Sequence, residues 1–180
     1  MVALNNNYQK IIKYDLLNKF YYNNIKKIPE LQKVTLNFAC KTPEIKFISS
    51  SLLALELISY KRGCLVKSRK PSLMLKIRKG HPVGCALTLQ KTQMYDFVYK
   101  ISSVVFPNSK EFTGLTFKRK GSANSFTLTI NQLACFEELK GQFYLFNRLP
   151  PLNVNLVTNT ANRSELFYLL RSFRLPFIKN

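Results

Sequence analysis

The sequence predicts an α+β fold: a single domain with a mostly antiparallel sheet, helices packed on one of its faces, and the other face left open. Three observations lead there. Segments of helical and of alternating apolar periodicity follow one another as helix, strand, helix, two strands, helix, one or more strands, helix. Long connections separate several neighbouring strands, which suits an α+β layer arrangement. With 180 residues, 46% of them hydrophobic, the chain is long and apolar enough for one full core, domains usually running about 50–250 residues.

From the N-terminus, Tyr8 to Tyr22 sets Tyr8, Ile11, Ile12, Leu16 and Phe20 at helical spacing, with Lys10, Lys13 and Lys19 elsewhere on the wheel. Pro29 closes that region. Lys33 to Cys40 alternates, with Val34, Leu36, Phe38 and Cys40 opposite Thr35, Asn37 and Ala39. Such a strand has one polar or small face. Glu44 to Tyr60 reads as a buried helix ended by Gly63. A short strand at Cys64 to Lys67 and a long basic segment, Ser68 to Gly80, come next. In the strand Val83 to Gln90, Cys85, Leu87 and Leu89 alternate with Ala86 and Thr88.

Thr92 to Phe106 reads as a helix with Met94, Phe97, Val98, Ile101, Val104 and Val105 on its core side, stopped by Pro107. A basic turn, Lys118 to Asn124, leads into a strand at Phe126 to Ile130. Asn153 to Thr158 is another strand, and Asn162 is the expected N-cap of a last helix through Phe173. No internal repeat and no Pro-, Gly- or Ser-rich linker interrupts the chain, so the expectation is one domain over residues 1–180.

Charge is the strongest compositional signal. There are 28 Lys and Arg against 9 Asp and Glu, a formal charge of +19. A folded body with that imbalance repels itself unless a polyanion neutralises it. Between Glu56 and Asp96 there is no acidic residue, while the interval holds Lys61, Arg62, Lys67, Arg69, Lys70, Lys76, Arg78, Lys79, Lys91 and His81. Pro71, Gly80, Pro82 and Gly84 make the stretch non-helical. It reads as an extended loop, residues 68–80, that sets cations on phosphates while Leu73, Met74 or Leu75 touches something apolar.

Other classes are excluded. No apolar run approaches the roughly 18–20 residues of a membrane span, and the first residues show neither a secretory h-region nor an Arg-rich transit leader. Cys40, Cys64, Cys85 and Cys135 lie more than 20 residues apart with no CxxC pair. Free thiols in a reducing compartment are expected, with no metal and no cofactor. One histidine, two aspartates and the absence of GxSxG, P-loop and GxGxxG patterns argue against an enzyme. His81, between Gly80 and Pro82, suits a turn or an RNA-stacking ring better than a catalytic base.

The run KIRKGHPVGCALTL (residues 76–89), followed by a helix and VVFPNSKEFTGL (104–115), resembles the bacterial-type large-subunit ribosomal protein L-five family, which binds 5S rRNA. KVTLNF (33–38) is similar to the family's first strand, KSRKPS (67–72) to its basic loop, and LNVNLVTNTANRSELFYLLRSFRLPF (152–177) to its last strand, last helix and terminal Pro-Phe. The resemblance runs in order from about Tyr8 to Phe177.

It implies a structural constituent of the large subunit, with 5S rRNA, 23S-type rRNA, peptidyl-site tRNA and a small-subunit head protein as partners, and no membrane. The implied 5S face is Thr35, Asn37, Lys61 and Thr88, whose mostly short, uncharged side chains suit close approach to RNA. The implied loop contacts to tRNA and rRNA are Lys67, Arg69, Lys70, Lys76, Arg78, Lys79 and His81. A free-standing RNA-binding protein outside the ribosome is the alternative.

The chain departs from the family in places. FACKTPE (38–44) replaces a glycine-rich turn, which is expected to be rebuilt around Pro43. Tyr60, Lys61, Arg62 and Gly63 replace Gly-Gln-Lys-Pro, so Lys61 exchanges a directional hydrogen bond for a phosphate contact. Residues 117–147 match weakly, and no RNA contact is carried onto them beyond noting Lys118, Arg119 and Lys120. Sixteen asparagines, no Trp and few Gly suggest an AT-rich gene. With the departures and the missing leader, this points to a mitochondrial ribosome, a plastid or bacterial cytoplasm being the alternatives.

Overall fold

A computed structural model describes residues 3–40, 44–75, 77–109, 112–117 and 121–178. Five strands, β1 (Leu31–Ala39), β2 (Cys64–Lys67), β3 (Pro82–Leu89), β4 (Ser125–Ile130) and β5 (Leu152–Thr158), form one sheet in the order β2-β3-β1-β5-β4. With its helices this is the expected α+β fold on an antiparallel sheet. Each strand lies within two residues of its expected limits. The chain divides into two compact units, Met1–Val34 with Leu89–Leu128 and Asn155–Asn180, and Thr35–Thr88 with Thr129–Val154.

In the first unit, α1 (Ala3–Asn7) passes through a π segment, Tyr8–Ile12, into α2 (Lys13–Lys19). Leu4, Tyr8, Ile12 and Leu16 are buried. Their four-residue spacing overshoots an α-turn of about 3.6 residues, and the wider π segment takes up the overshoot, keeping all four on one side. The helix ends at Lys19, earlier than the expected Tyr22, because Phe20 is already extended (φ −125°, ψ 143°). Tyr8 donates to the Pro29 carbonyl at 2.9 Å, and its ring stacks on Tyr95, which meets Phe173 edge-on.

The second long helix runs as α4 (Thr92–Lys100), a π segment Ile101–Val105 and α5 (Phe106–Asn108). Pro107 therefore does not stop it. The proline sits at the start of α5, where a missing N–H is tolerated, and the chain turns extended at Ser109. Met94, Phe97, Val98, Ile101 and Val105 are buried as expected, Tyr95 joins them, and Val104 is only half-buried. The last helix of the chain, spanning Arg163–Ser172, buries Leu166, Leu169 and Leu170. Asn162 takes the N-cap position without capping through its side chain. Its amide donates instead to Glu165 Oε1 at 2.9 Å. Asn159 ties this unit together: its Nδ2 donates to the Ile28 carbonyl at 3.0 Å and its Oδ1 accepts from the Glu30 N–H at 2.6 Å.

In the second unit, α3 (Ile45–Ser59) buries Ile48, Ser51, Ala54, Leu55 and Ile58. Tyr60, in the left-handed region (φ 53°), ends it three residues before Gly63. Gly63 instead packs against the helix, an added Cβ standing 2.9 Å from Leu52 Cδ1 and 3.0 Å from Leu55 Cδ2. The buried Ser51 hydroxyl donates to the Ile48 carbonyl and lies 3.5 Å from both Cys40 Sγ and Cys85 Sγ. Three one-turn helical pieces were not expected in this unit: a 3-10 turn at Leu133–Cys135, α6 (Glu137–Lys140) and α7 (Phe143–Phe146). The rebuilt turn expected around Pro43 falls outside the described residues.

Candidate RNA interface

Thr35, Asn37, Lys61 and Thr88, and every described residue of the basic segment, belong to the second unit. Alternation sets the face. Leu36, Phe38, Cys85, Leu87 and Leu89 are buried, which turns the intervening side chains the other way. Asn37 and Thr88 are accordingly exposed and Thr35 is half-buried. At Gly84 an added Cβ would stand 2.3 Å from the Phe38 carbonyl oxygen, so β3 lies directly on β1 there. Lys61 Nζ donates to the Thr88 carbonyl at 2.8 Å. That bond joins two predicted residues 27 positions apart and engages one of the three ammonium protons. The sequence reading did not include this tie of Lys61 to the neighbouring strand.

The basic segment differs from the extended loop expected. β2 and β3 pair antiparallel, Cys64 with Ala86, Leu65 with Cys85, Val66 with Gly84 and, after an irregularity, Lys67 with Pro82. Beyond them the Ser68 N–H donates to the His81 carbonyl (2.8 Å) and the Gly80 N–H to the Ser68 carbonyl (2.9 Å). Ser72 and Ile77 exchange two backbone bonds of 2.9 Å. The segment is therefore a closed hairpin. Its return into β3 passes through Gly80 at φ +88°, a conformation that glycine adopts without penalty. Ile77 is buried, whereas Lys67, Arg69, Lys70, Arg78, Lys79 and His81 are exposed. Lys76, and the noted Lys118, Arg119 and Lys120, lie outside the described residues.

Two polar positions escaped the sequence reading. In this unit Thr129 Oγ1 donates to Asn153 Oδ1 at 3.0 Å, leaving that amide's nitrogen to donate elsewhere. In the other unit Thr127 Oγ1 donates to Asn155 Oδ1 at 3.2 Å. The alternation of Asn153 and Asn155 with Leu152, Val154 and Leu156 was the available signal. Among the described residues no group of three or more His, Cys, Asp or Glu is placed to hold a metal. Cys40, Cys85 and Cys135 are free and buried, and Cys64 is free and exposed. No described helix is long and apolar enough to cross a membrane.

A profile of the C-terminal part of the ribosomal L-five protein family matches residues 82–177, more than half of the chain. The large ribosomal subunit protein uL5m of Reclinomonas americana is 32% identical over 181 residues, covering 99% of this chain and all of the relative. The chain belongs to the uL5 family of large-subunit ribosomal proteins. Large ribosomal subunit protein uL5 of Blochmanniella floridana is 29% identical across the whole chain and 95% of that relative. The uL5 protein of Desulforapulum autotrophicum is 31% identical over 98% of the chain. Members of the uL5 family are structural components of the ribosome, active in translation and not enzymes. The absence of a catalytic constellation from the sequence accords with that.

Proposed function

We propose that this uL5-family chain is built into the large subunit of a mitochondrial ribosome, where Thr35, Asn37, Lys61 and Thr88 dock on 5S rRNA. The hairpin cations Lys67, Arg69, Lys70, Lys76, Arg78 and Lys79, with His81, reach peptidyl-site tRNA and adjoining 23S-type rRNA. A small-subunit head protein is the protein partner across the subunit bridge. The observation that carries this reading is the division of labour within one unit. Short uncharged side chains stand on the strands, Asn37 and Thr88 exposed and Thr35 half-buried, with Lys61 beside Thr88, while the hairpin carries exposed cations and no acid. Short neutral donors and acceptors allow close approach to sugar and base edges. Cations set the affinity and its salt dependence.

Purified protein binding 5S rRNA well above a generic RNA of equal length, at ~150 mM salt, is the expected result. Equal binding to both overturns the 5S assignment and favours a free-standing RNA-binding protein. For the compartment, the mitochondrial family member from Reclinomonas americana supports the proposal. Finding the gene on a bacterial chromosome overturns it.

A further inference from the structure

The outer side of the N-terminal helix is not polar. Leu4, Tyr8, Ile12 and Leu16 take its buried side, and a helix lying on a core is expected to turn polar and charged residues outward. Ile11, which periodicity groups with the buried side, is instead 55% exposed, and Tyr14 and Leu17 follow at three-residue steps at 59% and 41%. Tyr21 and Ile25, just beyond the helix, are exposed further still. Single exposed apolar residues are ordinary, but a row of them along one helix marks a surface that another molecule covers.

One turn before Ile11, Asn7 lines a groove of about 610 Å³ together with Leu4, Phe173 and Arg174. Ser102 and Ser103 also line it, and their hydroxyls donate to the Tyr99 carbonyl at 3.0 and 2.7 Å. Those donors are spent inside the protein, so the groove offers an incoming group mainly apolar contact. The surrounding charge is positive. From Ala3 to Lys27 the chain holds Lys10, Lys13, Lys19, Lys26 and Lys27 against Asp15, and Lys10 and Arg174 are exposed.

An occupant that fits is apolar at its centre and acidic at its rim. A second copy of this chain does not fit, because each copy carries +19 and the same lysines would meet. RNA fits less well. Phosphate contact is led by cations, whereas aliphatic side chains lead here and the exposed Asp15 follows Tyr14. Stacking on bases uses flat rings, which Ile11 and Leu17 lack. An amphipathic protein helix presents apolar anchors three and four residues apart, complementary to the row of Ile11, Tyr14 and Leu17. Tyrosine is favoured at the centre of such contacts. The apolar share of the surface suits a permanent neighbour rather than a transient one.

We propose that Ile11, Tyr14 and Leu17, with the adjoining groove, seat an acidic amphipathic segment of another large-subunit protein. This rests on the chain being part of the large subunit, and the experiment separates the two claims. Purified large subunits and the isolated full chain are oxidised with hydroxyl radicals. The subunits are also treated with a carbodiimide, which joins a lysine amine to a carboxylate, and the products are read by mass spectrometry.

Oxidation of Ile11, Tyr14 and Leu17 is expected to be about fivefold lower in the subunit than in the isolated chain. Lys10 or Lys13 is expected to be joined to Asp or Glu of a different protein. Equal oxidation in both samples shows an open face and overturns the proposal. Protection without such a cross-link overturns it too, and ultraviolet coupling of Tyr14 to RNA then makes RNA the occupant. A link between two copies of this chain overturns it in favour of self-association. Subunits that lack the chain overturn the ribosomal reading, and this inference with it.

Discussion

At Gly84 any side chain would drive a Cβ to 2.3 Å from the Phe38 carbonyl oxygen, a backbone atom with little room to yield. Gly84→Ala is expected to lower stability by about 1–3 kcal/mol, seen as a lower urea midpoint at unchanged m-value. A midpoint equal to the parent's contradicts the close approach. Tyr95 presents the opposite case: its hydroxyl is buried with no hydrogen-bond partner among the described residues. Burial raises the Tyr95 and Tyr8 phenols above their usual range, with Glu30 adding to both, and pushes Tyr22 up to about 12. The folded state keeps these protons above pH ~10, where the unfolded chain loses them. Their contribution is intact below pH ~10 and is lost as pH rises toward the folded values. Tyr95→Phe is expected to match or exceed the parent by up to about 1 kcal/mol at neutral pH and to lose stability less steeply in alkali. Urea titrations at pH ~7 and ~10.5 check both expectations. Alternation along the strands was enough to set Asn37 and Thr88 on the exposed side of their strands. The bond from Lys61 to the Thr88 carbonyl was not legible, because nothing local relates residues 27 apart.

Among the elements, the hairpin carries charge with little core, Ile77 being its buried apolar side chain. Replacing residues 69–79 by a two-residue Asn-Gly turn removes Arg69, Lys70, Lys76, Arg78 and Lys79. If all five meet phosphates, the slope of log affinity against log salt becomes shallower by about 3.5, while the melting temperature moves by less than about 5 °C. Filter binding from low to moderate salt and a thermal melt check the two halves. An unchanged slope shows that these cations meet no phosphate. The position and charge of this segment were plain in the sequence, but its rungs were not. Pro71 and Gly80 read as breakers, whereas Ser72 and Ile77 pair only once the strands beneath them are aligned. The π segments were hidden for another reason. Four-residue apolar spacing is compatible with either helix type, and the choice depends on what the buried side must meet. The one-turn helices α6 and α7 are too short to show a period at all.

Over the whole molecule, 19 excess positive charges act against folding in the absence of RNA. Screening that repulsion is expected to raise the melting temperature of the isolated protein between ~0.05 and ~0.5 M salt, the Debye length shrinking to a few ångströms. A short polyanion is expected to do the same at low salt. A melting temperature that falls with salt contradicts net repulsion and points to stabilising ion pairs instead. By itself the sequence determined the charge and its acid-free interval, the order of the strands and of the longer helices, and the family. These follow from composition, local periodicity and ordered motifs. Only the tertiary structure decided that the basic segment is a closed hairpin, that Lys61 is tied to Thr88, and that Gly84 rests on β1. Each depends on backbone groups far apart in the chain meeting across strands, and local residue preferences carry no record of that register.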